Sequence, residues 1–467
     1  MDLTFQLDQL HVTITDIIDQ LKEHCDVNAA CDEIRNALTG LVETVLIPVI
    51  EEIICSPEIL PILKVGAGRL GLRFNGYRST SIMLLSGEAI KIKSPYFAKA
   101  RPKKRKGRKP KKRKKGTGAH FGLDYLGFVS RCTMLLGTAV VQAALLCPSY
   151  ELARKMLKSH SITLGVKTIR RLVMGIGKRA IQHRGRLSLS ESDSADGKTI
   201  LICIDGGRLR ERKPKRGRKR KGQKRQGFHS NWREPLQFVI QTINEEGVAC
   251  KDHLPIYDAT MGKIDFAFDL LEEYLSSMKI SNAERVVFCG DGARSYWKRI
   301  DPMMKRLGVD DHQEVIDYTH AKQNLNEIID MLPKKLTAKE MSKITEKWKD
   351  LLWQGDVDGI NDQIKKQISY PKKREKALTK FDNYFKRNRE RVQYAAMQEQ
   401  NLPIGSGCVE SAIRRVVNLR MKSPGIFWKK ETAEHMLFLR SQLLSGRWDI
   451  MTGNMHRETR GLSSYKG

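Results

Sequence analysis

Residues 199–205 read Thr-Ile-Leu-Ile-Cys-Ile-Asp. The apolar run 200–204 is too short for a helix and rich in β-branched residues. It reads as a strand buried on both faces, and it delivers a lone carboxylate, Asp205, at its end. A second run at 286–291, Val-Val-Phe-Cys-Gly-Asp, does the same and ends in Asp291. A Gly-rich turn and a helix start then present Glu410. Three carboxylates at element ends, in a chain of net charge +31, point to metal-dependent chemistry on a polyanion.

Working outward from 199–205, strand periodicity holds for about a hundred residues. A basic tract fills the gap to a second strand, Leu236–Ile243. Asn244-Glu245-Glu246-Gly247 reads as a hairpin turn, with a third strand at about 248–257. A helix at 263–279 would bury Ile264, Phe268, Leu271 and Leu275. Strand four is expected at 285–290 and strand five at 314–317. Three hairpin-linked strands, then helix, strand, helix, strand, match an α/β ribonuclease H-like catalytic domain with a mixed five-stranded sheet. In such a sheet strands one and four are neighbours, so Asp205 and Asp291 would meet.

The flanking regions are expected to be helical. Leu7, Leu10, Ile14, Ile17, Ile18 and Leu21 recur at helical spacing in an N-terminal region, 1–66. Residues 67–122 read as an irregular segment with a basic tract. Residues 123–197 read as helices plus a linker. Within them, Tyr150–Lys158, a turn at 159–165 and 166–175 fit a helix-turn-helix or an ordinary helical hairpin equally well. In the first case Lys167, Arg170 and Arg171 would face DNA. The catalytic core is expected at 198–320 and again at 401–450, split by a helical insertion at 321–400 anchored by Trp348, Trp353 and Tyr384. Residues 451–467 form a tail.

The charge is concentrated. Of 84 Lys+Arg, 12 lie in 101–115 and 12 in 208–225, and removing both tracts leaves 60 basic and 52 acidic residues, a surplus of +8. Gly and Pro inside the tracts keep them from packing into a core. They are expected to bind nucleic acid through phosphates; solvated tails or targeting peptides are the plainer alternative. The nine cysteines include no Cys-x-x-Cys pair, which argues against a zinc ribbon or a disulfide framework and for a reducing compartment. No signal peptide is visible. The apolar stretch 126–147 is interrupted by Arg131 and Gln142 and is expected to be a buried helix, so no membrane partner is implied.

Phosphodiester chemistry without a covalent intermediate is well served by two Mg²⁺ ions, and three carboxylates on rigid elements suffice to hold them. The expected metal-binding triad is Asp205, Asp291 and Glu410. Each has a plainer reading: a strand-ending turn before Gly206-Gly207, a helix cap at Asp291-Gly292-Ala293, an ion pair from Glu410 to Arg414. His320 is a further candidate catalytic residue, with Asp317 as its accessory. His320 would hydrogen-bond a phosphate, orient a carboxylate or position water; alternatively the two form a helix cap and a satisfied imidazole. Ser406 would cap the helix bearing Glu410, and Gly405 and Gly407 would supply unusual backbone conformations. Arg414, Arg415 and Arg420 would flank DNA while Val416, Val417 and Met421 pack inward. In the second tract Arg208, Arg210, Lys213, Lys215, Arg216, Arg218, Lys219 and Arg220 are candidate DNA contacts. Trp428 would be a core residue or a stacking platform for an unpaired base.

Residues 402–428 read LPIGSGCVESAIRRVVNLRMKSPGIFW. The segment resembles the C-terminal signature of bacterial insertion-sequence transposases of the ISKra group, a DDE family: Pro-Ile-Gly-Ser-Gly, then Val-Glu-Ser-Ala, Arg-Met-Lys and a Trp. Ser445-Gly446-Arg447-Trp448-Asp449, Asp291-Gly292-Ala293 and Asp317-x-x-His320 fit the same family. The resemblance covers about 199–450. It lacks the Cys-x-x-Cys ribbon that such proteins often carry, and residues 101–115 supply a Lys/Arg tract instead. It implies Asp205, Asp291 and Glu410 as the triad, with Mg²⁺ (or Mn²⁺) as cofactor. The implied activity is cleavage at the ends of an insertion sequence and strand transfer into target DNA. A homodimer or larger synaptic complex and a cytoplasmic, nucleoid-associated location in bacteria are implied with it. Two other classes stay open: a structure-selective or hybrid nuclease on the same fold, and a non-catalytic DNA-binding protein derived from a transposase.

Overall fold

In the computed structural model, which describes residues 4–99, 118–218, 222–223 and 226–464, the chain divides into two compact units, 1–182 with 452–467, and 183–451. The first basic tract and residues Lys219 and Arg220 lie outside the described residues.

The first unit begins with α1 (Thr4–His24), α2 (Val27–Cys55) and α3 (Ile59–Arg69). Asp26 caps α2 by accepting from the N–H groups of Asn28 and Ala29. The segment read as irregular instead forms an antiparallel hairpin, β1 (Leu72–Ile82) and β2 (Ile90–Lys99), with a short β3 (Gly118–Ala119) on β2. Its alternation is blurred by the register shift between Phe74 and Tyr77 and by the run of exposed residues Tyr77, Arg78 and Ser79. The buried Glu43 of α2 ties the loop after β1 in place, accepting from the N–H groups of Leu85 and Ser86. Short α4 (Phe121–Tyr125) leads to α5 (Met134–Leu146), α6 (Tyr150–Lys158) and α7 (Val166–Ile181). The apolar α5 is buried on most sides, and no helix among the described residues is long and apolar enough to cross a membrane. Lys167, Arg170 and Arg171 lie exposed on α7.

The second unit opens with α8 (Arg184–Ser188) and is built on a five-stranded sheet. Strand β4 (Thr199–Gly206) leads into a separate two-stranded arm, β5 (Leu209–Pro214) and β6 (Phe228–Arg233). Then come β7 (Leu236–Ile243), β8 (Ile256–Thr260), α9 (Ile264–Ser277), β9 (Arg285–Gly290), α10 (Arg294–Arg306) and β10 (Gln313–Ile316). The spatial order is β10-β9-β4-β7-β8. β4 pairs antiparallel with β7, and β7 with β8, while β9 lies parallel to β4 and β10 parallel to β9. The central strands are buried on both faces, which is why they read as continuous apolar runs rather than alternations.

The expected third strand starts late. The turn forms as read, with Gly247 at φ 78° and Asn244 N–H bonded to Val248 O. Only Ile243 and Ala249 bridge there, however. The polar Lys251-Asp252-His253 has little to bury, and Pro255 offers no N–H, so the ladder resumes at Ile256.

Helices α11 (Tyr318–Ile329), α12 (Ala338–Trp353), α13 (Val357–Gln367), α14 (Pro371–Tyr384) and α15 (Tyr394–Glu399) form the helical insertion. Trp348 is fully buried within it, and Trp353 packs on Tyr318 and Tyr394. The chain returns to the sheet through α16 (Gly407–Ile413), a π-helical turn at Arg414–Asn418, α17 (Leu419–Met421) and α18 (Lys430–Leu444). The last helix, α19 (Trp448–Ser464), counts with the first unit from Thr452 on. Two buried ion pairs fix the unit. Arg184 makes a two-pronged contact with Asp258, at 2.9 and 2.5 Å, and also reaches Glu434. Arg447, from the second signature segment, pairs in the same way with Asp193.

Candidate active site

Asp205 and Asp291 stand at the same end of adjacent parallel strands, β4 and β9, and α16 approaches that end. Cys203 on β4 is the register partner of Cys289 on β9, and the Cys408 thiol of α16 lies close to its own. Each cysteine precedes one of the three acids by two residues. The thiols therefore form the floor on which the acid-bearing ends converge. Gly207 completes this contact: a Cβ there would meet Val417 and Ile413 at 3.2–3.3 Å, so the helix closes onto the strand end with little room to spare.

Asp205 feels the charges of the other two acids. The Asp205 carboxyl is pushed up to about 6, first by burial and then by the negative charges of Asp291 and Glu410. The N–H of Gly206 and the nearby His320 oppose the rise. Burial and the charges of Asp291 and Asp205 also raise the Tyr296 phenol.

The three acids do not close into one ligand group. Among the described residues no set of three or more His, Cys, Asp or Glu is arranged to hold a metal ion. The reason lies in α16. Residues two apart on a helix point about 200° from each other, so turning Cys408 onto Cys203 leaves Glu410 exposed and directed sideways. There its Oε1 lies 3.3 Å from His320 Nε2. Of the roles open to His320, the geometry is that of orienting a carboxylate. The donor set suits Mg²⁺ in kind, being hard oxygen on rigid elements.

Asp317 is a positioning residue rather than a member of the cluster. It is buried and caps α11, accepting from His320 N–H at 2.9 Å. Its other oxygen accepts from the N–H and hydroxyl of Ser406, at 2.5 and 3.0 Å. This corrects the expectation that Ser406 caps α16; no side-chain cap is present there. Nor do Gly405 and Gly407 adopt positive φ, and a Cβ on Gly407 would meet nothing within 4 Å. What Asp317 does is fasten the turn before α16 to the start of α11, which sets Glu410 against His320.

The helical insertion braces Asp291, a role the sequence reading missed. Gly292 sits at φ 82° beneath the Tyr384 ring. The Tyr384 hydroxyl donates to Asp291 O at 3.4 Å, and Arg387 donates to Gly292 O at 3.2 Å. Asp291 itself accepts from Ala293 N–H in a local turn, but it does not cap α10, which has no side-chain cap.

The expected DNA contacts divide. Arg208, Lys213, Lys215, Arg216 and Arg218 are exposed, as is Arg414. Arg210 is half-buried between Trp232 and Phe427. Arg415 is held by the Tyr257 hydroxyl at 2.5 Å. Arg420 is buried against Trp428 and does not flank any groove. Val416, Val417 and Met421 pack inward as read. Trp428 is a core residue: it is buried, donates to Met421 O at 3.0 Å, and its backbone straps β5. It offers no platform for a base.

No family model matches the chain, and no curated protein does. Among solved structures the chain is similar to a Drosophila P element transposase strand transfer complex. The identity is 10%, the match covers 68% of this chain and 93% of that one, and the TM-score is 0.31.

Proposed function

We propose that this chain is a DDE-type transposase with a ribonuclease H-like core, cleaving DNA at the ends of a mobile element and joining them to target DNA. The observation that carries the reading is geometric: Asp205 and Asp291 end adjacent parallel strands, with Glu410 on the helix that approaches them, and the Asp205 carboxyl is raised first by burial and then by those two charges. A carboxyl raised by burial and by neighbouring charges marks a functional-site candidate. Support also comes from the strand order, three hairpin-linked strands followed by two parallel ones on the far side of the first, and from the 402–428 signature.

Asp205, Asp291 and Glu410 would hold Mg²⁺, with Mn²⁺ as a substitute; when bound, the ions activate the attacking oxygen and stabilise the leaving one. The rest is the chain's own work. His320 holds Glu410 in reserve, Asp317 fixes the helix that carries it, and Tyr384 with Arg387 hold the Asp291 turn. The exposed lysines and arginines of the β5–β6 arm would hold phosphates beside Asp205. Pairing two DNA ends would call for a homodimer or larger complex, and the 402–428 resemblance would imply a bacterial, nucleoid-associated setting.

The test is a gel assay with Mg²⁺, a linear duplex carrying the sequences that flank the gene, and a supercoiled target plasmid. Joined products are expected. Cleavage without joining would replace the reading with a nuclease. One observation favours a second reading: the acids do not close into a metal group. DNA binding with neither cleavage nor joining would establish that reading, a DNA-binding protein without chemistry.

A further inference from the structure

The β5–β6 arm carries an indole that the chemistry above does not use. Trp232 is 60% exposed, whereas Trp297, Trp348, Trp428 and Trp448 are all buried. A large ring left in water is uncommon and points to a contact surface. Trp232 lies directly across the ladder from Arg210. The Arg210 guanidinium sits 5.6 Å from the Trp232 ring centre and 4.5 Å from that of Phe427, and it donates to Ser423 O at 3.1 Å. The indole is therefore backed by a fixed charge. Phe228, on the same face, meets Phe427 edge-on and carries Arg212 at 4.7 Å. Rings and guanidinium groups alternate over the face, and the exposed Lys213, Lys215, Arg216 and Arg218 continue the strand away from it.

The arm extends the β4–β7 pair past the acids. Asp205 is paired with Gln237, and Arg210 with Trp232, each residue of the second pair lying five positions beyond the first. At about 3.3 Å per residue the Arg210 backbone lies within roughly 17 Å of that of Asp205, with Trp232 across the ladder from it. At a rise of about 3.4 Å per nucleotide along a duplex axis, and more along an extended single strand, that is a few nucleotides from the acids. Lysines and arginines attract any nucleic acid. The flat exposed ring adds a choice, because only an unpaired base has a face free to stack on it.

We propose that this face holds single-stranded DNA, with Trp232 stacking on an unpaired base beside the acid cluster. The proposal rests on the DNA reading above, and its test does not require catalysis. Wild type, Trp232→Ala and Trp232→Phe are titrated in EDTA with a short oligothymidylate and with a duplex of equal length. Affinity is read by anisotropy and stacking by intrinsic fluorescence. Trp232→Ala should lose about 5- to 100-fold in single-strand affinity, with duplex affinity unchanged and most of the loss restored in Trp232→Phe. The strand should quench wild-type emission and leave that of Trp232→Phe nearly unchanged. Equal single-strand affinity in wild type and Trp232→Ala would overturn the proposal, as would an equal loss on the duplex. A protein that joins DNA but shows that equality loses this inference alone. One that never cleaves yet shows the Trp232 effect loses only the catalytic reading.

Discussion

A carboxyl raised by burial and like charge holds its proton longer folded than unfolded, and for Asp205 this has a measurable consequence. Folding pushes its carboxyl up to about 6, against 3.8 for an ordinary aspartate. Between those values the folded state binds the extra proton, so Asp205 lowers stability as pH rises through that window. Asp205→Asn keeps the acceptor for Gly206 N–H and removes the charge. In EDTA at neutral pH it should gain about 1–2 kcal/mol, allowing for the hydration a half-buried group retains. Thermal melts should show the gain at pH 7 and its disappearance below pH 4. Mg²⁺ should stabilise wild type and not the variant; equal behaviour of the two would remove Asp205 from any metal site. Asp317 predicts the opposite. Asp317→Ala strips the α11 cap and leaves the buried Ser406 N–H without its partner. It should cost about 2–4 kcal/mol in urea denaturation and lower activity by loosening Glu410.

The π-helical turn at Arg414–Asn418 decides how α16 meets the sheet. It frees backbone carbonyls that a regular helix would use, and the buried Arg440 of α18 donates to two of them, on Val416 and Arg415. Burial and the neighbouring Arg420 push the Arg440 guanidinium down to about 10. Arg440→Met should therefore destabilise the protein by about 2–4 kcal/mol and cut activity without touching an acid, measured by denaturation and turnover together. Neither the π turn nor its partner was legible in the sequence, because Arg440 lies far along the chain and reads as a surface charge. The strands were legible where both faces are buried: β4, β7 and β9 appear within a residue of their expected bounds. The β5–β6 arm was hidden by its own composition. Twelve basic residues read as an unstructured tract, yet Leu209 and Glu211 alternate inward and the ladder to Phe228–Arg233 forms. The acids were legible as strand and helix ends. Their cysteine floor was not, since nothing in a single chain marks residues so far apart as contacts, and the sideways turn of Glu410 follows from that floor.

Over the whole molecule the charge of +31 makes binding to DNA a salt-dependent property. Replacing Lys213, Lys215, Arg216 and Arg218 with Gln should reduce the slope of log affinity against log salt by about 3–4, if each contacts a phosphate. Titrations at several salt concentrations measure this, and an unchanged slope would place the DNA elsewhere. Charge explains attraction, however, and not chemistry; chemistry depends on the three acids acting as one site. The direct measurement is Mg²⁺-dependent cleavage of the element's end DNA by wild type, Asp205→Asn, Asp291→Asn and Glu410→Gln, with binding followed in parallel. Loss of cleavage in all three variants with DNA affinity retained is the predicted result. Cutting by the three variants at the wild-type rate would contradict the account.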